Sequence, residues 1–225
     1  MKTIGVLGGF GPQATMDFEA RVHAVSQQLI PQSGNTGYPP MVAYYHRFPP
    51  LVKDEQQKSR PDLRLLESAK KLGTLADFLV ITASAPHQAQ AEIEAASGLK
   101  VLSMIDLTIN EVRRRGWQYV GVLGMGEPTV YLTPLRQMEI GCETISAELM
   151  RQLDQALIAV IEGRAGPKEQ AIARIAIERM RVQQVDGTIL GCTELPLLLQ
   201  EQADAPNLIN PLQLLAEAAV REAIS

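Results

Sequence analysis

Gly191-Cys192-Thr193-Glu194-Leu195-Pro196 places a thiol, a hydroxyl and a carboxylate side by side, directly after an apolar run that ends at Leu190. A buried cysteine is a small hydrophobe, but as a thiolate it is a strong base and nucleophile. Thr82-Ala83-Ser84-Ala85-Pro86-His87 follows the apolar run Asp77-Phe78-Leu79-Val80-Ile81 in the same way. Counted from Asp77 and Asp186, Cys192 falls opposite Ala83 and Thr193 opposite Ser84. Thr82 and Ser84 are the hydroxyls flanking Ala83, and a hydroxyl is a poor base unless a neighbour activates it. His87 either caps and orients a helix start or contacts the site. The other cysteine, Cys142 in Ile140-Gly141-Cys142-Glu143, falls in a predicted strand and reads as structural. His23 and His46 have no constellation of chemical groups around them.

The elements that must position these groups alternate between strand and helix. Thr3 to Leu7 is a short apolar strand, Gly8-Gly9-Phe10-Gly11-Pro12 a glycine turn, and a helix begins at about Gln13. Further strands are predicted over 40–45, 77–81 and 100–105, with helices over 62–72 and 88–96. The pattern then restarts, with a strand and turn over 119–124, helices over 148–162 and 167–181, a strand over 185–190 and a closing helix over 212–224. Ile4-Gly5-Val6-Leu7-Gly8 matches Val120-Gly121-Val122-Leu123-Gly124, and Asp77 to Ile81 lies over Asp186 to Leu190 in the same order. Alternation of this kind implies parallel sheets covered by helices. The expected fold is α/β with two pseudo-symmetric domains, each a short parallel β-sheet flanked by helices. The first would comprise residues 1–100 plus 206–225 and the second 101–205. Ligands bind at the carboxyl ends of parallel strands, so two facing halves would form an active-site cleft between them.

Composition sets the bounds. The chain has 225 residues, 46% hydrophobic and 20% charged, enough to bury a core without disulfides or structural metals. A net charge of −4 gives no global attraction for nucleic acid. Met1-Lys2-Thr3 leads straight into an apolar strand without a signal-peptide core, and no apolar run approaches the ~20 residues that span a bilayer. The cytoplasm is therefore the expected compartment, with no membrane or nucleic-acid partner. The 2 cysteines are too few for a disulfide framework or a zinc site. Gly8-Gly9-Phe10-Gly11-Pro12 fits neither the dinucleotide fingerprint nor the P-loop.

Gly191-Cys192-Thr193-Glu194-Leu195-Pro196 resembles the second catalytic motif of the aspartate/glutamate racemase family. Gly8-Gly9-Phe10-Gly11-Pro12-Gln13-Ala14-Thr15 resembles the N-terminal motif of its aspartate racemase branch. The resemblance runs over nearly the whole chain. It implies two pseudo-symmetric α/β domains with the site between them, no pyridoxal phosphate or other cofactor, no metal, and a homodimer. Two cysteines on opposite faces of the substrate α-carbon would exchange its proton, since inversion needs a base on one face and an acid on the other. Cys192 takes one of these places. The first motif of the family usually reads Cys-Asn-Thr-x-His, and this chain departs from it with Ala83-Ser84-Ala85-Pro86-His87. The histidine is present while the thiol, amide and threonine are replaced, which leaves Thr82, Ser84 or a bound water for the second face.

Substrate contacts follow by the same resemblance. Thr193 and Ser84 would offer hydroxyl and backbone N–H groups to the α-carboxylate and amine, Gly9 its backbone, and Ala85 a pocket wall. Thr129, in the second glycine turn, is a further candidate contact. Arg47 would meet a side-chain carboxylate, as a guanidinium does bidentately, with Arg164 and Lys168 as alternatives. Glu194 would belong to the motif without chemistry of its own. The function implied is a cofactor-independent amino-acid racemase of amino-acid metabolism, acting on aspartate- or glutamate-like small molecules through Cys192. The alternatives are a single-cysteine decarboxylase or isomerase of the arylmalonate decarboxylase type, and a non-catalytic carboxylate binder.

Overall fold

A computed structural model of the protein describes residues 1–54, 56 and 59–225. Ile4-Gly5-Val6-Leu7-Gly8 is buried at all 5 positions and forms β1 (Ile4–Gly8). Unbroken burial of an apolar run is what a central parallel strand requires, because helices cover both its faces. After the glycine turn comes α1 (Pro12–Leu29), started by a proline in its first turn, where the missing N–H would have had no helical partner anyway. Its Ala14, Phe18, Val22 and Val25 recur at helical spacing and are buried. β2 (Met41–Tyr45) pairs with β1, and β3 (Leu51–Lys53) with β4 (Ser59–Pro61) makes a small antiparallel hairpin. Asp62 caps α2 (Leu63–Gly73) by accepting the Arg64 N–H at 2.8 Å. β5 (Phe78–Ile81), a 3₁₀ turn over Ala85–Ala89, α3 (Gln90–Ser97) and β6 (Val101–Leu102) complete the first sheet, whose order is β2-β1-β5-β6, all parallel.

The second half repeats this plan. α4 (Met104–Arg115) leads to β7 (Tyr119–Leu123), α5 (Thr129–Gln137) and β8 (Gly141–Glu143). Then come α6 (Ala147–Ile161), α7 (Pro167–Val182), β9 (Gly187–Leu190), α8 (Leu195–Leu199), β10 (Leu208–Ile209) and α9 (Pro211–Ile224). The second sheet, read from its other edge, is β8-β7-β9-β10, again all parallel. Strand for strand in chain order, this is the arrangement of the first sheet.

The matched aspartates explain part of the repeat. The Asp77 carboxylate accepts the Thr3 N–H at 2.6 Å, just before β1. The Asp186 carboxylate accepts the N–H groups of Gln118 and Tyr119 at 2.7 and 2.9 Å, at the start of β7. Each aspartate precedes the third strand, in chain order, of its four-stranded sheet and fastens the beginning of the first.

The chain divides into two units, Met1–Met104 with Leu212–Ser225, and Ile105–Pro211. These bounds differ from 1–100 plus 206–225 and 101–205 because β6 is the edge strand of the first sheet and β10 the edge strand of the second. The helix that follows the last strand of each half is thus built into the other unit. On the first, α9 is held by Arg21 to Gln213 at 2.8 Å and by Lys2 N–H to the Ala223 carbonyl at 2.8 Å. On the second, the Arg115 guanidinium of α4 donates to the Pro206 carbonyl at 2.6 Å and lies 4.8 Å from the Trp117 ring centroid.

The strand expected over 100–105 is shorter than its apolar run suggests. Only Val101 and Leu102 pair, and from Met104 the chain is helical, with buried Met104, Ile105, Ile109 and Val112 at helical spacing. The 88–96 helix divides into the 3₁₀ turn and α3. The sequence reading gives no element to α5, where Pro134 stands inside the helix, or to the short strands β3, β4 and β10, while β8 is the strand expected around Cys142.

Candidate active site

Both turns singled out from sequence stand at the carboxyl ends of inner strands. After β9, Gly191 crosses so close to β7 that a β-carbon there would lie 2.9 Å from the Leu123 carbonyl and 3.2 Å from the Tyr131 ring. The next residue is Cys192, 9% exposed, with its side chain in the core cluster formed by α6, α7 and α8. Its Sγ donates to Glu194 Oε2 at 3.1 Å, and the Thr193 hydroxyl donates to the same oxygen at 3.2 Å. Thr193 and Glu194 are each 4% exposed. Among the described residues no Lys, Arg or His forms an ion pair with Glu194. Burial raises its carboxyl above the ordinary range, against the hydrogen bonds it accepts from Cys192 and Thr193. The Cys192 thiol is raised well above its usual value, first by burial and then by the charge of Glu194. At rest Cys192 is therefore a protonated thiol.

The turn after β5 is built differently. Thr82 is 1% exposed, and its Oγ1 lies 2.8 Å from Thr15 Oγ1, which also accepts the Gly9 N–H at 2.9 Å. This hydroxyl knot ties α1 and the first glycine turn to β5. Thr82 is thus enclosed by packing groups, and the side chain it meets is another hydroxyl, not a base. Ala83 and Ser84 are half-buried and Ala85 is exposed. His87 Nδ1 donates to the Ala83 carbonyl at 2.9 Å, and its Nε2 accepts the Met104 N–H at 3.2 Å, which assigns the neutral Nδ1–H tautomer. These two hydrogen bonds tie the His87 ring to the backbone of the turn after β5 and of Met104.

Gly9 has φ +84°, and a β-carbon there would fall 2.7 Å from Tyr45 Cα and 2.8 Å from His46 N. Glycine here lets the turn pass close to the end of β2. Arg47, two residues past β2, is exposed, with its guanidinium 5.1 Å from the Tyr45 ring centroid and, among the described residues, no ion pair. Thr129 is exposed as the first residue of α5. Arg164, paired with Glu162 at 2.5 Å, and Lys168 are both exposed near the start of α7. Since α7 runs back to enter β9, that end of the helix lies toward the carboxyl ends of the second sheet. Cys142 on β8 donates to the Ile140 carbonyl at 3.4 Å, and burial raises its thiol, a structural setting.

Asp154 escaped the sequence reading, which gave Glu194 no chemistry of its own and His46 no surrounding groups. Glu194 is the buried acceptor of the thiol, and its position two residues beyond Cys192 was the available signal. Asp154 on α6 accepts the Gly126 N–H at 2.8 Å, fixing the turn after β7, and its charge also raises the Cys192 thiol. His46, 2% exposed, packs between Phe10 and Phe48 with Nδ1 3.2 Å from Ser68 Oγ. Neither of the last two has a neighbour in sequence that would announce it.

Comparison with known proteins finds relatives of this chain and of its fold. The broad specificity amino-acid racemase RacX of Bacillus subtilis (strain 168) is 29% identical over 227 residues, covering 96% of each chain. The fold is shared with the aspartate racemase of Picrophilus torridus, at a TM-score of 0.78 and 20% identity over 99% of this chain and 94% of that one. An aspartate racemase homologue from Pyrococcus horikoshii OT3 gives 0.76 and 21% identity over 100% of both chains. Residues 7–219 match the family described as Asp/Glu/Hydantoin racemase, and with that match the chain belongs to this racemase family.

Proposed function

We propose that the protein is a cofactor-independent amino-acid racemase in which Cys192 exchanges the substrate α-proton. The observation that carries this is Cys192 itself, in a Gly-Cys-Thr-Glu turn at the carboxyl end of β9 and hydrogen-bonded to a buried carboxylate. A protonated thiol is ready to give a proton to a planar carbanion, and in the other direction it must first lose its own. Ala83 offers nothing on the second face. Ser84, half-buried in the corresponding turn, or water beside it, supplies that proton in place of a second thiol, while Thr82 holds α1 in position.

The substrates proposed are aspartate- and glutamate-like. Arg47 supports this reading, being an exposed guanidinium just beyond a strand end with no carboxylate paired to it among the described residues. Arg164 and Lys168 are the other cations toward a carboxyl end. Thr193, Ser84, Ala85, Gly9 and Thr129 are proposed as the surroundings of the α-carboxylate and amine, with Gly9 acting through the turn it shapes. RacX is named for broad specificity, so the test is a panel. Chiral chromatography of L- and D-aspartate, glutamate and neutral amino acids is expected to show conversion of the acidic pair, with KM for these raised about tenfold or more by Arg47→Ala. Equal turnover of neutral and acidic substrates by wild type, untouched by Arg47→Ala, would remove the acidic preference.

A further inference from the structure

We propose that Glu194 is the proton acceptor of Cys192: the Oε2 that accepts the thiol's hydrogen bond takes its proton and creates the thiolate that attacks the α-C–H. This rests on the thiol-racemase reading above, and gives Glu194 a part that the motif resemblance did not.

Glu194 is 4% exposed, and no cation among the described residues forms an ion pair with it, so nothing of opposite charge offsets the cost of burying it ionised. What faces it is a thiol at 3.1 Å and a hydroxyl at 3.2 Å, both donors to one oxygen. Two buried acids sharing a hydrogen bond titrate as a pair, in which one proton can sit on either atom. The surrounding elements do little to break that balance. From α7 come Ala173, Ala176, Ile177 and Met180, and from α6 the apolar Leu153, Ala156 and Leu157. The charged group of α6 that acts on the thiol is Asp154, and α5 brings the buried phenol of Tyr131 against Gly191. Asp154 disfavours a thiolate, which leaves transfer within the pair as the route that adds no further negative charge.

The step balances. The Sγ–H bond breaks and an Oε2–H bond forms, so the single negative charge of the pair moves from oxygen to sulfur. The thiolate then bonds the α-proton while the C–H electron pair stays on the α-carbon, ready for a proton on its opposite face. Glu194 acts on substrate only through Cys192.

Iodoacetamide alkylation of Cys192, followed across pH by the mass of the peptide that contains it, reads the thiolate directly and needs no substrate. Wild type is expected to show two rises separated by a plateau. Below the first rise both groups hold protons, on the plateau they share one, and above the second they hold none. In Glu194→Gln the plateau is absent, and the rate climbs about tenfold per pH unit to one midpoint. A single rise in wild type would overturn the proposal whether or not the variant folds, and so would a variant whose profile keeps the plateau. Should the plateau stand while no amino acid exchanges its α-proton, the racemase reading would fall and the Cys192–Glu194 proton pair would remain. With a working substrate, Glu194→Gln is expected to lower kcat about tenfold or more at unchanged KM when Cys192 is the base.

Discussion

Cys192 is held where a cysteine usually ends up, inside the core, and its one departure from that ordinary fate is the carboxylate it faces. Burial and negative charge both keep the proton on sulfur, so nucleophilicity depends on where that proton can go. The motif was legible because it is contiguous: Cys192, Thr193 and Glu194 are neighbours in sequence and in the turn. The meaning of Glu194 was not legible, since first-turn acids of helices are commonly exposed and stabilised by the helix dipole, and only tertiary packing buries this one. Gly9 was singled out for its backbone, and its positive φ together with the closeness of the β2 end accounts for glycine at that position. Gly9→Ala combines a left-handed φ with overlap on Tyr45 and His46, so it is expected to cost about 1–3 kcal/mol, measured by urea unfolding. A loss near zero would mean the turn opens freely.

At the scale of elements, fully buried apolar strands and amphipathic helices such as α2 and α6 announced themselves, while the two-residue edge strand β10 and helix α4 did not. Val101 and Leu102 merge into the apolar run that becomes α4, so periodicity alone could not place the break. The last turn of α4 carries Arg114 and Arg115, which grip Glu111 at 2.6 Å each. The Arg114 hydrogen bond, followed by Arg115 and opposed by partial burial, holds the Glu111 carboxyl down at about 2 against an ordinary 4.5. A depressed carboxyl stabilises the fold fully above its unfolded value and loses that contribution as pH falls through the folded one. Between pH 4.5 and 2, wild type is therefore expected to lose more stability than Glu111→Gln, as read by thermal melts at each pH. Parallel pH dependence in the two proteins would deny the ion pairs a role.

For the whole molecule, the repeat seen as two short matches in sequence extends to every strand of both sheets and to the exchange of the helix after each. Duplication was legible because Asp77 and Asp186 mark equivalent places, and the reason is visible in the N–H groups each accepts. The exchange of α4 and α9 was only half legible, from the closing helix, because α4 had not been recognised as its counterpart. Asp77→Ala and Asp186→Ala are expected to act alike, each lowering Tm by about 2–4 °C through loss of the carboxylate's hydrogen bonds to the strand-start N–H groups. An effect confined to one of them would mean that the two fastenings are not equivalent.

The central claim is that Cys192 moves the α-proton, and it is tested by incubating the protein in heavy water with each enantiomer of aspartate and glutamate, without pyridoxal phosphate, and following the α-proton signal by NMR. Wild type is expected to lose the signal, faster for the enantiomer whose α-proton meets Cys192, and Cys192→Ala to leave it unchanged over the same period. Exchange that persists in Cys192→Ala, or a wild type that exchanges none of the four, would contradict the claim.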